Sequence, residues 1–371
     1  MRSGTRLYSF CLIAFSFCVP FSVFADTIID ADSEISENTV WTKTDSPYIV
    51  QGWLMVDQGA TLSIEPGVVV QFDSGGIDVL GRLLVKGTSD EPVTFTSASG
   101  SEWGGIQFSN PEAASSLDNI VVQYARDAIT DFYSKDLSIS NAKVENGAYG
   151  ITAYGSHLSL DTFSAENMSS EALDISYGSD VILKNITLKN IHEGIDLYFD
   201  SKADISNLSV EQTQNQALVI YIGSSAHIVN STISNTGWPD AIAVFNSSFL
   251  TAENVKVTNG TGDGVVVFNG SSVTIQDSVI SGFTQGTGAA DYGGWMDIPN
   301  VLSLTNNEIT NNDTGIGLYA DNSSYAISNN SIHQNVSYGL EVYGTAAVDV
   351  SHNFWGDSSG PYNDPDNLAG T

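Results

Sequence analysis

Basic side chains are scarce in this chain: 12 Lys and Arg stand against 43 Asp and Glu over 371 residues. Arg2 and Arg6 precede an apolar run from Leu7 to Phe24. Beyond residue 25 there remain 10 basic and 43 acidic side chains, a net −33, with Arg82 and Arg126 the only arginines. Binding to phosphate backbones or anionic membranes needs clustered Lys and Arg, so nucleic acid and lipid surfaces are poor partners. Acidic polysaccharides are disfavoured too unless divalent cations bridge the charge. A solvated acidic surface that maintains solubility accounts for most of the imbalance.

Cysteine is confined to Cys11 and Cys18, both within the apolar run. A basic start, that run, and Val23-Phe24-Ala25 with small residues at the cleavage positions have the form of a secretory signal, cleaved after Ala25. Ser9, Ser16, Pro20 and Ser22 interrupt the run and no basic stop follows, which argues against a membrane anchor. The exported chain would then have no cysteine, so disulfides and thiolate metal sites are excluded. Its stability must come from its core, and 346 residues suffice for one. The expected destination is secreted or cell surface. Helix-favouring runs of about ten to twelve residues are missing as well, which excludes a helical solenoid.

What is present is a repeat. A small residue followed by an apolar one recurs at Gly105-Ile106, Ala128-Ile129, Gly150-Ile151, Ala172-Leu173, Gly194-Ile195 and Ala217-Leu218. It continues at Ala241-Ile242, Gly264-Val265, Gly288-Ala289, Gly315-Ile316 and Gly339-Leu340. The steps are 23, 22, 22, 22, 23, 24, 23, 24, 27 and 24 residues. Apolar columns keep step with this anchor, among them Ile139, Leu183, Ile205, Ile228, Ile275 and Val350, and Val144, Leu188, Val210, Ile233, Val257 and Ile280. So does a column of Asn141, Asn185, Asn207, Asn230 and Asn254, continued by Asp277 and His352. Apolar residues alternate with polar ones around each anchor, as in Ile195-Asp196-Leu197, which is strand periodicity. Three short strands per period, separated by Asn, Gly and Ser turns, describe one turn of a parallel β-solenoid. Asparagine suits the bends because it tolerates left-handed backbone and its amide can donate to one turn and accept from the next.

Residues 26–116 are less regular, 117–352 hold the regular repeats, and 353–371 read as a terminating turn. Roughly fourteen turns at about 4.8 Å each predict a rod near 65 Å long. In "NFWGDSSGPYN" (353–363) the spacing from His352 carries Trp355 into an inward position, and Gly356 and Gly360-Pro361 then break the strand rhythm. So few residues follow that the natural chain is expected to be longer, or its end to fray.

Several stretches match a known group. "TLSIEPGVVVQF" (61–72), "GRLLVKGTSDEPVTFTS" (81–97) and "WGGIQF" (103–108) resemble the opening turns of secreted bacterial right-handed parallel β-helix proteins. "GIGLYADNSSYAISNNSI" (315–332) and "NFWGDSSGP" (353–361) resemble their repeat and its closing motif. The resemblance implies an all-β, single-stranded right-handed parallel β-helix of the pectin-lyase-like superfamily. That group includes polysaccharide lyases, hydrolases, epimerases and adhesins, so fold leaves function open. Lyases of this fold need an Arg or Lys base near calcium-binding acids, and Arg126 has no basic neighbour on the next turn. Galacturonan hydrolases of this fold carry an Asp-Asp pair, a Gly-His-Gly and an Arg-x-Lys, and none is present; "GTGDGV" (260–265) is a faint echo. These absences point away from the well-known enzymes.

Two sets of residues are candidate sites. Glu171 and Glu193 precede their anchors, and Asp174 and Asp196 follow two residues after. Equivalent positions on adjacent turns lie about 4.8 Å apart, so four carboxylates should gather, with His192 and Asp200 nearby. Partial protonation, or a hard cation such as Ca²⁺, could neutralise them. Asp174 and Asp196 are also candidate catalytic carboxylates. The plain alternative is a set of solvated side chains whose repulsion is screened. The second set is aromatic: Tyr154, Tyr198, Tyr221, Phe245, Phe268, Tyr292, Tyr319 and Tyr343, all four residues past an anchor and pointing outward by alternation. Trp238 flanks this ribbon on one side and Trp295, in the insertion "DYGGWMDIP", on the other, with Asp240 and Asp263 placed to address sugar hydroxyls. Cross-strand stacking that only stabilises the rod is the simpler account of the ladder alone, and the two loop tryptophans are what bring a glycan-binding groove level with it. Three functions follow: a non-catalytic binder of extracellular polysaccharide, a polysaccharide-active enzyme with a calcium-assisted acidic site, and a structural stalk or adhesin module.

Overall fold

The computed structural model describes residues 26–290, 298–319, 323–344, 348–357 and 360. The apolar run, the proposed cleavage site and residues 361–371 lie outside them. Every strand pairing is parallel, and the chain winds through about 13 turns of a β-solenoid. The first sheet begins with Thr27–Ile29, Tyr48–Val50 and Val69–Phe72. The second begins with Ser33–Ile35, Leu54–Val56, Gly76–Val79 and Gly105–Ser109, and the third with Thr39–Trp41, Thr61–Ile64 and Arg82–Lys86. Each strand pairs with its equivalent one turn later, as in Ile195↔Leu218 and Leu218↔Ile242. In mid-rod one strand, His157–Ser176, crosses all three faces and bends at Thr162 and Asn167, where φ is +57°.

Alternation drives this arrangement. Ile139, Leu183, Ile205, Ile228 and Ile275 face inward and are buried, as are Val144, Leu188, Val210, Ile233, Val257 and Ile280. One continuous apolar core runs from Ile35 to Trp355. Flat stacking fills its wider turns: Phe72 and Trp103 lie 4.0 Å apart at 1°. Trp355 is 6 % exposed, one residue past the Ser331–Phe354 bridge, so the tryptophan of the closing motif takes the core place that Ile332 holds one turn before.

The bends are held by side-chain amides. Asn141, Asn185, Asn207, Asn230 and Asn254 all have φ between +51° and +56°. The Asn207 amide donates to Asn185 Oδ1 at 2.9 Å, and that of Asn254 to Asn230 Oδ1 at 2.7 Å. A second, interior ladder is not foreseen from spacing. The buried Ser179, Ser224 and Ser271 hydroxyls accept from the backbone N–H of Ser156, Ser201 and Ser248 on the preceding turn. Toward the C-terminal end asparagine takes a like role at another bend: Asn307, Asn330 and Asn353 each accept from the backbone N–H one turn earlier. These bonds satisfy corner amides that the sheets cannot reach.

The register corrects one anchor. Val265 pairs with Thr287 and Val267 with Ala289, so the equivalent of Gly264 is Gly286, not Gly288. The inserted turn therefore runs from Gly286 to Gly315, 29 residues rather than 27. The mimicry is local: Gly288-Ala289 repeats the small-apolar pair two residues late, while Thr287 occupies the inward position and is fully buried.

Candidate functional site

The outer face of the second sheet carries both candidate sets. On two adjacent turns Glu171 pairs with Glu193 and Asp174 with Asp196. The carboxylate oxygens of Glu171, Glu193 and Asp196 lie within 4.8 Å of one another. Solvation is uneven across this group. Asp196 is 2 % exposed although it points away from the core, and Glu171, Glu193 and Asp174 are half-buried. Asp196 Oδ2 accepts from the Tyr198 hydroxyl at 3.1 Å, while Oδ1 has no hydrogen-bond partner. Burial first, then the charges of Glu193 and Glu171, raises the Asp196 carboxyl well above the ordinary range. Burial, then Glu171, pushes Asp174 up to about 6. Glu193 is raised by burial and Glu171 and eased by His192. The Ser170 hydroxyl donates to Glu171 at 2.5 Å. Asp200 stands apart, exposed in the bend after Phe199.

Two turns beyond Glu193, Asp240 pairs with Asp263. Asp240 is 8 % exposed; burial, then the Asp263 charge, pushes it up to about 7. Asp263 is pushed up to about 6 by burial, eased by a bond from the backbone of Gln285. Beside them Ala243, Val266 and Phe268, with Phe245 against them, form a small apolar cluster separate from the core. Asp240 is thus buried and Asp263 half-buried, a property that spacing does not announce.

The aromatic column is more buried than alternation predicts. Tyr198, Tyr221 and Phe245 are half-buried and Phe268 is 7 % exposed. Its rings contact one another in sequence: Tyr198–Tyr221 at 5.7 Å and Tyr221–Phe245 at 6.1 Å edge-on, then Phe245–Phe268 stacked at 5.0 Å. Where Ser176 interrupts the column, Tyr177 and Phe199 from the bend carry it on, Tyr154–Tyr177 at 4.4 Å and Tyr177–Phe199 at 4.8 Å. Positive φ at Tyr177 and Phe199 turns them into the gap, which alternation alone does not foresee. Trp238 is 72 % exposed. Tyr292 and Trp295 lie outside the described residues, and the corrected register places Ala290, not Tyr292, opposite Phe268.

Near the N-terminal end of this face lies a feature absent from both candidate sets. Trp53, 42 % exposed, lies against the glycine pairs Gly75-Gly76 and Gly104-Gly105; a Cβ on Gly104 would stand 2.9 Å from its ring. With Gln107, Arg126, Asp127 and Thr130 it lines a hollow of about 390 Å³. Arg126 donates twice to Asp127 Oδ2, at 2.9 and 2.7 Å, so the arginine at this hollow is already paired with a carboxylate. The two Gly-Gly steps are the signal in the sequence that could have located it.

Comparison with known proteins gives three consecutive family matches. "Pectate-lyase like beta helix domain" covers residues 33–114, "Periplasmic copper-binding protein (NosD)" 89–241, and "Right handed beta helix region" 240–354. No curated protein matches the chain significantly. Among solved structures, the periplasmic alginate epimerase AlgG is similar at a TM-score of 0.54 and 12 % identity, over 86 % of this chain and 84 % of that one. The alginate lyase from Paenibacillus sp. str. FPU-7 gives 0.39 and 14 %, over 72 % and 93 %. A GH87 α-1,3-glucanase catalytic domain in complex with tetrasaccharides gives 0.49 and 12 %, over 80 % of this chain; the match spans 64 % of that domain's length. At these identities the likeness shows the fold alone. The copper in the second description finds no fit. Copper favours imidazole and sulfur donors, and the one group of three potential ligands among the described residues is all carboxylate.

Proposed function

We propose, from a chain that is a right-handed parallel β-helix, that this protein is exported and binds polysaccharide along the outer face of its second sheet. The observation that carries the reading is the combination, on one face, of an aromatic edge running from Tyr154 to Phe268 with the acids Glu171, Glu193, Asp196, Asp240 and Asp263 on the same strands and turns. Rings present apolar surface to the C–H faces of sugars, and carboxylates and amides address hydroxyls. Trp53 and Trp238 are exposed indoles toward the two ends of this strip. The face is acidic, and its one arginine is paired to Asp127, so a neutral glycan is the expected ligand. The match to a periplasmic family and the likeness to a periplasmic alginate epimerase support export and a polysaccharide ligand, while the choice of a neutral one rests on the charge of this face alone.

Affinity electrophoresis in gels containing neutral polysaccharides tests it. Retardation by at least one glucan, mannan or xylan is expected, reduced in Trp238→Ala and in Trp53→Ala while melting temperature is unchanged. Absence of retardation across the set, or retention unaffected by both substitutions, overturns the reading. A second reading, polysaccharide cleavage, is favoured by one observation, the adjacent pair Asp240 and Asp263 with carboxyls raised to about 7 and 6, the range in which acids transfer protons near neutrality. Release of reducing ends or unsaturated sugars, abolished by Asp240→Asn, would establish it; Asp174 and Asp196 are the alternative pair to substitute.

A further inference from the structure

We propose that Glu171, Glu193 and Asp196 bind one Ca²⁺ ion that clasps two successive turns of the solenoid. Distance comes first. Calcium holds oxygen ligands at about 2.4 Å, so its ligand oxygens stand about 3–5 Å from one another. The three carboxylates offer one oxygen each within 4.8 Å of the others. They come from neighbouring turns, Glu171 on one and Glu193 and Asp196 on the next.

The second observation is Asp196. Its carboxylate is almost wholly buried, it points into the cluster from outside the core, and Oδ1 has no hydrogen-bond partner. A buried carboxylate oxygen without a partner is costly, and such groups are normally found paired or on a metal. No ion pair among the described residues involves Glu171, Glu193 or Asp196; the nearest lysine bridge on this strand, Lys189 to Glu211, belongs to the first sheet. The group therefore lacks a built-in cation. The half-exposure of Glu171 and Glu193 leaves an open side for entry and for waters to complete the coordination.

Chemistry selects the ion. The donors are oxygen only, which disfavours copper and zinc. Magnesium needs oxygens near 2.1 Å in a tight octahedron and gives up water reluctantly, so a loose carboxylate cage favours calcium. In a rod whose described residues contain no cysteine, such an ion would link adjacent turns where the acid column is otherwise self-repelling. The proposal does not rest on glycan binding, and its test contains no glycan.

Isothermal titration calorimetry of chelator-treated full chain with CaCl₂ at pH 7.5, paired with thermal denaturation, decides it. One Ca²⁺ per chain and a higher melting temperature in excess calcium are expected. Asp196→Asn should weaken affinity at least tenfold. Glu171→Gln, at a half-exposed position that leaves the fold intact, should do so severalfold and guards against a folding defect in the first variant. No heat and no melting shift at millimolar calcium would overturn the site and leave shared protons as the neutralising device. Undiminished binding in both variants, or equal stabilisation by MgCl₂, would overturn it as well.

Discussion

Asp131 occupies an inward position of the second sheet, between Phe108 and Ala153 on the turns before and after. It is fully buried, and neither carboxylate oxygen has a hydrogen-bond partner. Burial pushes its carboxyl from 3.8 up to about 6, and the polar groups of Ser134 and Ser156 nearby offset only part of that push. The sign follows from linkage: between these values the native chain holds a proton that the unfolded chain has released, so stability falls as pH rises through the window and stays low above it. The displacement corresponds to about 3 kcal/mol. Asp131→Asn keeps the shape and removes the charge. The variant should match wild type to within about 1 kcal/mol at pH 4, where both native side chains are neutral, and gain about 3 kcal/mol over it at pH 8. For a chain of this size that is a rise in melting temperature of roughly 4 °C. Circular dichroism melts of both proteins at the two pH values give the double difference, in which all other titrating groups cancel. An equal shift at pH 4 and pH 8, or a lower midpoint for the variant at pH 8, would refute the assignment of an uncompensated buried acid.

Asn185 donates to Asp161 Oδ1, accepts from Asn207, and sits at φ +55°. Asn185→Ala should cost about 2 kcal/mol and Asn185→Gly less, because glycine accepts the bend, as urea midpoints will show. Trp355→Ala removes the last core ring and should cost about 3 kcal/mol, raising amide exchange in Ser331–His333 above that of the mid-rod; unchanged exchange there would mean the ring is not a cap. Carboxyl-carbon NMR titration of Asp263→Asn should find the Asp240 midpoint below about 7, since one like charge is removed while burial remains; an unmoved midpoint would separate the two acids.

The interior of this protein is legible in its sequence because the solenoid repeats the same demand every turn. An error of direction cannot hide in a column such as that of Leu183, Ile205 and Ile228. A polar residue turned inward, such as Thr287 or Asp131, stands out from its column once the anchor is right. The anchor misleads at Gly288 because the true pair, Gly286-Thr287, breaks the small-apolar rule while Gly288-Ala289 satisfies it two residues later, and only pairing to Val265 and Val267 distinguishes them. Asparagine at bends is legible for the same reason, since few residues accept left-handed backbone. The interior serines are not, because serine is common in every column and its role depends on a backbone N–H one turn away.

The outer face obeys weaker rules. Alternation says that Asp196 and Phe268 point outward, and they do, yet both are buried. Direction is a property of one strand, whereas burial depends on neighbours on several turns and on side chains arriving from the bends. Tyr177 and Phe199 reach the aromatic edge this way, and the Trp53 ring lies over glycines that are 22 and more residues distant in sequence. Carboxylates that point away from a core but lose water are stable only if something returns the lost solvation: a hydroxyl, as Tyr198 gives to Asp196, a shared proton, or a bound partner. The repeating core does not require any of these acids, because aliphatic or small residues, Val219, Ala243 and Val266, fill the Asp196 column on the following turns without loss of pairing. Their concentration on one face is therefore a property of the surface and not of the core, and it is there that substitutions should test the proposed binding without disturbing the fold.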